Sequence, residues 1–378
     1  MILLSAAPGE LPPLRRLILP LIFVGALFVV LANRSAEPPF VILQFTGETM
    51  GTTYMVKVAV PSKKKPDSKV IASTIESTLG SVNASMSTYV ADSELSTFNK
   101  MKSTDPIPAS DGLVFVLTEA LAISQGSVGA FDPTVGPLVN AWGFGPQKNT
   151  TPPTPADIAS LKHQIGYKKL SVDEEKKSVR KAIPGLYVDL SAIAKGYGVD
   201  QVSLELRRLG LVDHLVEIGG EVRSQGKNQR RVPWRLAIQR PVAEPGEIHQ
   251  NVIISLGTAA MATSGDYRNY YEANGQRVSH TIDPRTGRPI KHTLASVTVI
   301  AETCTQADGW ATALNVLGPN QGYALAEKMG MKAFFLVRNG NGGFDQKQTS
   351  ALAAMRSKTT NRPQTEKTGI IRTEQEAK

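Results

Sequence analysis

Apolar positions along this chain follow two periods, and the way they are mixed predicts a mixed α+β fold. Residues 40–45 and 52–60 read as strands, the second putting Tyr54, Val56, Val58 and Val60 on one face, with Gly47-Glu-Thr-Met-Gly51 as the turn. Helical spacing takes over at Ile71, Ile75, Leu79, Val82 and Met86. It returns at Leu113, Leu117, Ala120 and Leu121, behind Ser110 or Asp111 as a cap. Thr154-Pro-Ala-Asp157 has the form of a capped helix start. Between 186 and 256, strand-like runs (186–190, 215–218, 234–239, 251–256) flank one helix, and later strands at 295–301 and 333–337 flank helices at 306–317 and 322–329. Strands and helices do not alternate strictly, so the expected class is α+β, mixed sheets with helices in one compact unit.

Of the 378 residues, 42 are Lys or Arg and 33 are Asp or Glu, a formal net charge of +9. That excess suits nucleic acid, an acidic membrane surface or a phosphorylated small molecule. The densest basic run is only Lys63 to Lys65, and no aromatic-interleaved basic stripe appears, so no nucleic-acid partner is expected. One cysteine, Cys304, excludes an intrachain disulfide and any multi-cysteine metal site. Arg15 and Arg16 precede an apolar stretch of about 16 residues ending near Ala32, the pattern of an export signal or an N-terminal anchor. The chain therefore divides into 1–37 (signal peptide or membrane anchor plus linker), 38–355 (the main domain) and 356–378 (a polar tail, read as disordered).

Four segments carry candidate chemistry. In Val188-Asp-Leu-Ser-Ala-Ile-Ala-Lys-Gly196 an apolar run ends at Asp189 and a helix is expected from near Ser191, so helix N–H groups and Lys195 converge as they would on a phosphate. The plainer account is a capped helix with a solvated lysine. In Thr305-Gln-Ala-Asp-Gly-Trp-Ala-Thr312, Asp308 and Thr312 stand at i and i+4 on one helix face, an oxygen set suited to Mg²⁺ rather than zinc. Asp308 equally fits a capping box with Thr305. His280-Thr-Ile-Asp-Pro-Arg-Thr-Gly287 sets an imidazole beside a tight turn, and Gly129-Ala-Phe-Asp-Pro133 and Gly219-Gly220-Glu221 are turns that let backbone approach a ligand.

Taken in order with Thr49-Met-Gly-Thr52, Met86-Ser-Thr-Tyr89, Ser93-Glu-Leu-Ser-Thr-Phe-Asn99, Glu217-Ile-Gly-Gly220 and Ser264-Gly-Asp-Tyr267, these segments resemble the FAD:protein FMN transferases, flavin transferases formerly labelled thiamine-biosynthesis lipoproteins. The resemblance runs over roughly residues 45–320. It implies Mg²⁺-dependent cleavage of FAD at its pyrophosphate, phosphoester attachment of FMN to a Thr or Ser of a partner protein, and release of AMP. It also implies that Met50, Tyr89, Ala130, Phe131, Asp132, Asp189, Lys195 and Ile282 contact FAD, and that the Ala192 carbonyl, Asp308 and Thr312 hold the metal. His280, Asp308 and Lys195 are the implied catalytic residues, with Asp283 as an alternative base to His280. The implied setting is the periplasmic side of the bacterial inner membrane, with two lobes around an FAD cleft. Unlike many relatives, the chain has no lipobox cysteine directly following its apolar segment, so a lipoprotein is not expected. Two competing readings are an FAD pyrophosphatase, with water as nucleophile, and a periplasmic flavin-binding protein without catalysis.

Overall fold

The computed structural model describes residues 39–63, 66–145, 151–238, 252–265, 270–273 and 276–360. The apolar segment of the N-terminal reading and residues 361–378 of the polar tail lie outside them. Among the described residues no helix is long and apolar enough to cross a membrane.

An eight-stranded antiparallel sheet is built from β1 (Phe40–Thr49), β2 (Thr52–Pro61), β3 (His214–Ile218), β4 (Glu221–Gln225), β5 (Ala259–Gly265), β6 (Leu294–Ala301), β7 (Lys332–Arg338) and β8 (Phe344–Gln348). These strands lie side by side in chain order. The eight described helices are α1 (Ser68–Met86), α2 (Glu94–Lys100), α3 (Asp111–Gly126), α4 (Gly136–Ala141), α5 (Pro155–Gln164), α6 (Ala194–Arg208), α7 (Cys304–Lys328) and α8 (Ser350–Thr360). Mixed α+β is thus the observed class.

Alternation on β2 does what the pattern predicts. Tyr54, Val56, Val58 and Val60 are buried against Ile71, Ile75 and Leu79 of α1 and Val199, Val202 and Leu206 of α6. On the opposite face Leu215, Val222, Met261, Ile300 and Phe334 pack with Leu236 and Ile254 of a small hairpin (Arg235–Ile238, Val252–Ser255), with Trp234 just before it and with Leu352 of α8. Covering on both faces explains why β6 is buried almost without a break. A second core joins Met86, Leu95, Phe98, Leu113, Leu117, Phe131, Leu186, Val188 and Leu190. Beside it, a three-stranded sheet of Ile107–Pro108, Leu170–Asp173 and Ser178–Lys181 carries the buried Lys181, whose Nζ caps the end of α2 by donating to the carbonyls of Phe98 (2.6 Å) and Met101 (2.9 Å).

Two expectations are corrected. Residues 186–190 form no strand and join no sheet. Their alternation reflects packing of Leu186, Val188 and Leu190 in the second core. The Asn99 amide stands in for a neighbouring strand, accepting the Val188 N–H at 2.8 Å and donating to its carbonyl at 2.8 Å. The polar composition from Arg356 does not end the ordered chain, since α8 runs on to Thr360. The paired helices expected at 306–317 and 322–329 adjoin as α7, which leaves helical geometry at Gly318 (φ 76°) just before Pro319.

His214 gives the fold an acid-sensitive point. It is fully buried, with Nδ1 donating to the Leu211 carbonyl (2.7 Å) and Nε2 accepting from Ser203 Oγ (2.7 Å), and burial lowers its pKa to about 4. Between that value and the ordinary 6.5 the unfolded chain binds a proton that the folded chain does not. Stability is therefore full above pH 6.5 and falls as pH drops towards 4, by about 3 kcal/mol. Urea unfolding at pH 7.0 and 4.5 measures the loss, and His214→Gln is expected to remove most of this pH dependence.

Candidate active site

The site is built where α6 crosses the start of α7. Gly196 makes the crossing possible, because a Cβ there would lie 2.3 Å from the Cys304 carbonyl oxygen and 2.9 Å from Asp308 Cβ. Its N–H donates to Asp308 Oδ2 at 3.0 Å. Gly196 is the third residue of α6, so its N–H is one of the first-turn donors with no partner inside the helix, and the Asp308 carboxylate satisfies it. The expected helix start near Ser191 is corrected as well. Asp189 Oδ1 accepts both the N–H (2.9 Å) and the hydroxyl (2.5 Å) of Ser191, the Leu190 carbonyl accepts from Ile193 and Ala194, and α6 begins only at Ala194.

Asp308 is not the cap of α7. Thr303 is, accepting the Gln306 N–H at 3.3 Å. Asp200 of α6 reinforces it by taking the N–H groups of Cys304 (2.9 Å) and Thr305 (2.8 Å) and the Thr305 hydroxyl (2.7 Å), while pairing with Arg223. Asp308 is thereby left to face Lys195, with the two charged groups 3.9 Å apart. Four residues on, Thr312 Oγ1 hydrogen-bonds Ser264 Oγ of β5 at 3.1 Å.

Glu221 was not foreseen as a site residue. The β3–β4 hairpin turns on Gly219 and Gly220 (φ 61° and 107°), whose positive φ angles suit a two-residue hairpin loop. Its register pairs Glu221 with Ile218 and Arg223 with Val216, and both partners face the helices, so Glu221 and Arg223 do too. Each charge meets one from α6: Arg223 meets Asp200, and Glu221 Oε2 lies 3.8 Å from Lys195 Nζ. Burial pushes the carboxyl groups of Glu221 and Asp308 up, and the Lys195 ammonium opposes the shift on both. Burial alone would lower the Lys195 pKa, but Asp308 and Glu221 outweigh it and hold the ammonium above the usual lysine range.

Lys195 Nζ also donates to the Ser191 carbonyl at 3.3 Å, two residues from Asp189, one of the positions that the family resemblance implies for flavin contact. The Asp189 N–H donates to the Pro133 carbonyl (2.7 Å), and the Asp189 charge contributes to the raised pKa of Tyr89, after burial. Tyr89 is 67% exposed. Asp132 spends its carboxylate on the N–H and hydroxyl of Thr134 and the N–H of Tyr167, shaping the turn that carries Ala130 and Phe131. Met50 occupies the β1–β2 turn (φ 51°) with its methyl against Gly198 of α6. Phe131 and Ile282 are both buried, in separate apolar clusters.

His280 stands before the short Ile282–Asp283/Arg288–Pro289 hairpin, its ring edge-on to Phe144 at 6.3 Å. Neighbouring Thr281 accepts from Asn315 Nδ2 at 3.4 Å, and Asn315 lies seven residues beyond Asp308 on the same face of α7. Asp283 has both oxygens engaged by Arg285, each at 2.9 Å. Asp266 and Tyr267 lie outside the described residues. Among the described residues no group of three or more His, Cys, Asp and Glu side chains is placed to hold a metal ion.

A profile of the ApbE family matches residues 50–335, well over half of the chain. The chain belongs to the ApbE family. Among curated ApbE relatives, the FAD:protein FMN transferase of Haemophilus influenzae is 44% identical over 86% of this chain and 95% of its own length. That of Salmonella typhimurium is 40% identical over 82% and 87%. Among solved ApbE structures, the Vibrio cholerae flavin transferase superposes with a TM-score of 0.77 at 41% identity, covering 84% of this chain and 99% of its own. The apo flavinyl transferase of Pseudomonas stutzeri gives 0.77 at 40% identity, covering 84% and 97%.

Proposed function

We propose that this protein cleaves FAD at its pyrophosphate and joins the FMN half to a threonine or serine hydroxyl of a partner protein, releasing AMP. The observation that carries this reading is the α6–α7 crossing, where the Gly196 N–H bond to Asp308 sets Lys195 3.9 Å from that carboxylate, with Thr312 one helical turn beyond Asp308. The names of the relatives, FAD:protein FMN transferase, agree with it.

Displacement at phosphorus asks a protein mainly for positioning and charge neutralisation. Lys195, held as an ammonium, supplies the positive charge that would neutralise the pyrophosphate. The acceptor oxygen bonds to phosphorus as the pyrophosphate P–O bond breaks, AMP leaves, and an imidazole nitrogen of His280 takes the hydroxyl proton. Asp283 is less suited to that role because Arg285 occupies both its oxygens.

The Ala192 carbonyl, Asp308 and Thr312 fit Mg²⁺: one carboxylate and two neutral oxygens form a hard donor set, leaving the remaining positions to water and substrate phosphates. When bound, Mg²⁺ supplies charge neutralisation at the pyrophosphate. The Arg15–Arg16 pair and the apolar segment after it support export to the periplasmic side of the inner membrane, anchored or released.

AMP release followed by chromatography, with and without an acceptor protein, tests the reading. Release that requires acceptor marks a transferase, equal release without it marks a pyrophosphatase, and intact FAD marks a binding protein. His280→Ala is expected to lower kcat by about 10²–10⁴-fold with FAD affinity unchanged. Stopped-flow turnover and flavin fluorescence titration check the two halves of that expectation.

A further inference from the structure

Lys195 is held by charges rather than by a committed hydrogen bond to either carboxylate. Its Nζ lies 3.8 Å from Glu221 and 3.9 Å from Asp308, beyond hydrogen-bond range of both, with the Ser191 carbonyl at 3.3 Å. Glu221 is 5% exposed, and its Oε2 has no hydrogen-bond partner among the described residues. A buried carboxylate oxygen left in this state is costly, and of the charged groups that face Glu221 (Lys195, Asp308 and Glu217) the Lys195 ammonium is the one of opposite sign.

We propose that Glu221 is the positioning residue for Lys195, drawing its ammonium away from Asp308 so that Asp308 is free to take a divalent cation. The inference deepens the proposed reading of the site and rests on it. Two cations cannot share the one Asp308 carboxylate without mutual repulsion, so Lys195 competes with a metal there unless another anion holds it. Glu221 is that anion. It reaches the site from β4, an element that supplies none of the implied metal ligands, and it acts through Lys195 rather than by touching substrate.

The test is calorimetric titration of Mn²⁺, as a probe for Mg²⁺, into the full chain without FAD. Glu221→Gln is close to isosteric and removes only the charge. It is expected to weaken Mn²⁺ binding about tenfold, because Lys195 then settles on Asp308. Glu221→Asp, which restores the charge, is expected to recover most of the loss. In a Lys195→Met background the same Glu221→Gln change is expected to alter binding by less than about twofold, since there is no competitor left to hold. A tenfold loss that persists in that background would show Glu221 acting on the cation directly and overturn the proposal. So would unchanged binding in Glu221→Gln, which stands as a test by itself if the Lys195→Met chain does not fold. Failure of the unaltered protein to bind Mn²⁺ would instead remove the metal reading of Asp308 and Thr312.

Discussion

Replacing Asp308 with Asn is expected to abolish FAD cleavage, by about 10³-fold or more, while leaving the protein folded. The two effects separate because Asp308 does two things. Its Oδ2 accepts the Gly196 N–H that fastens α6 to α7, and its charge faces Lys195. The amide oxygen of Asn still accepts from Gly196 but lacks the charge to hold a cation. Lys195 keeps Glu221 as its counter-charge, and removing one buried carboxylate relieves the desolvation that raises the Asp308 pKa. The melting temperature is therefore expected to stay within a few degrees of the unaltered protein, with AMP release lost. Asp308→Ala is expected to lose the same activity and about 1–2 kcal/mol of stability besides, from the stranded Gly196 N–H. Differential scanning calorimetry beside the turnover assay distinguishes the two substitutions.

Lys195→Met strikes both stability and catalysis. It leaves Glu221 and Asp308 buried with no opposing charge, and breaking a buried pair costs about 3–5 kcal/mol when both groups are fully enclosed. The Lys195 side chain is 26% exposed, so about 2–3 kcal/mol is expected here. The sign of the pH dependence follows from the carboxylates. Burial already pushes both acids up against the pull of the ammonium, and without the ammonium both rise further. Between the ordinary carboxylate range and the raised values the folded chain holds protons that the unfolded chain has lost, so stability falls as pH rises. Relative to the unaltered protein, in which His214 titrates in the same way, the substituted protein is expected to be least destabilised near pH 5 and increasingly destabilised towards pH 8. Activity is expected to fall by about 10²–10³-fold, in keeping with loss of one preorganised charge at the pyrophosphate. Guanidinium unfolding at pH 5, 6.5 and 8 with both proteins gives the slope. A flat difference would mean that the three charges do not interact as their distances require.

Much of the sheet and its covering helices was legible in the pattern of apolar positions. Tyr54 to Val60 alternate because β2 has one face under α1 and α6, and Ile71, Ile75 and Leu79 repeat at helical spacing because they answer it. The misreading at 186–190 has a physical origin, since alternation reports burial, and Val188 is buried with its backbone satisfied by Asn99 instead of a strand. Strand β8 escaped notice because four of its five residues are exposed, which leaves no alternation to read. In the site, Asp308 and Thr312 were visible as an i, i+4 pair, but their local spacing could not separate a cap from a ligand. That choice was made by Asp200, more than 100 residues away in sequence, which takes over the end of α7 with Thr303. Glu221 was hidden by its neighbours, because Gly219-Gly220 reads as a turn. The available signal was the hairpin register, which turns Glu221 and Arg223 inward together and so requires two partners of opposite charge.

Intact-mass spectrometry of a threonine-bearing acceptor protein, incubated with this protein, FAD and Mg²⁺, with and without chelator, tests the central claim most directly. The account predicts a chelator-sensitive mass gain of one FMN phosphoester per acceptor, lost when the acceptor threonine is changed to alanine, with AMP released in equal amount. AMP and free FMN with no gain in acceptor mass would contradict it.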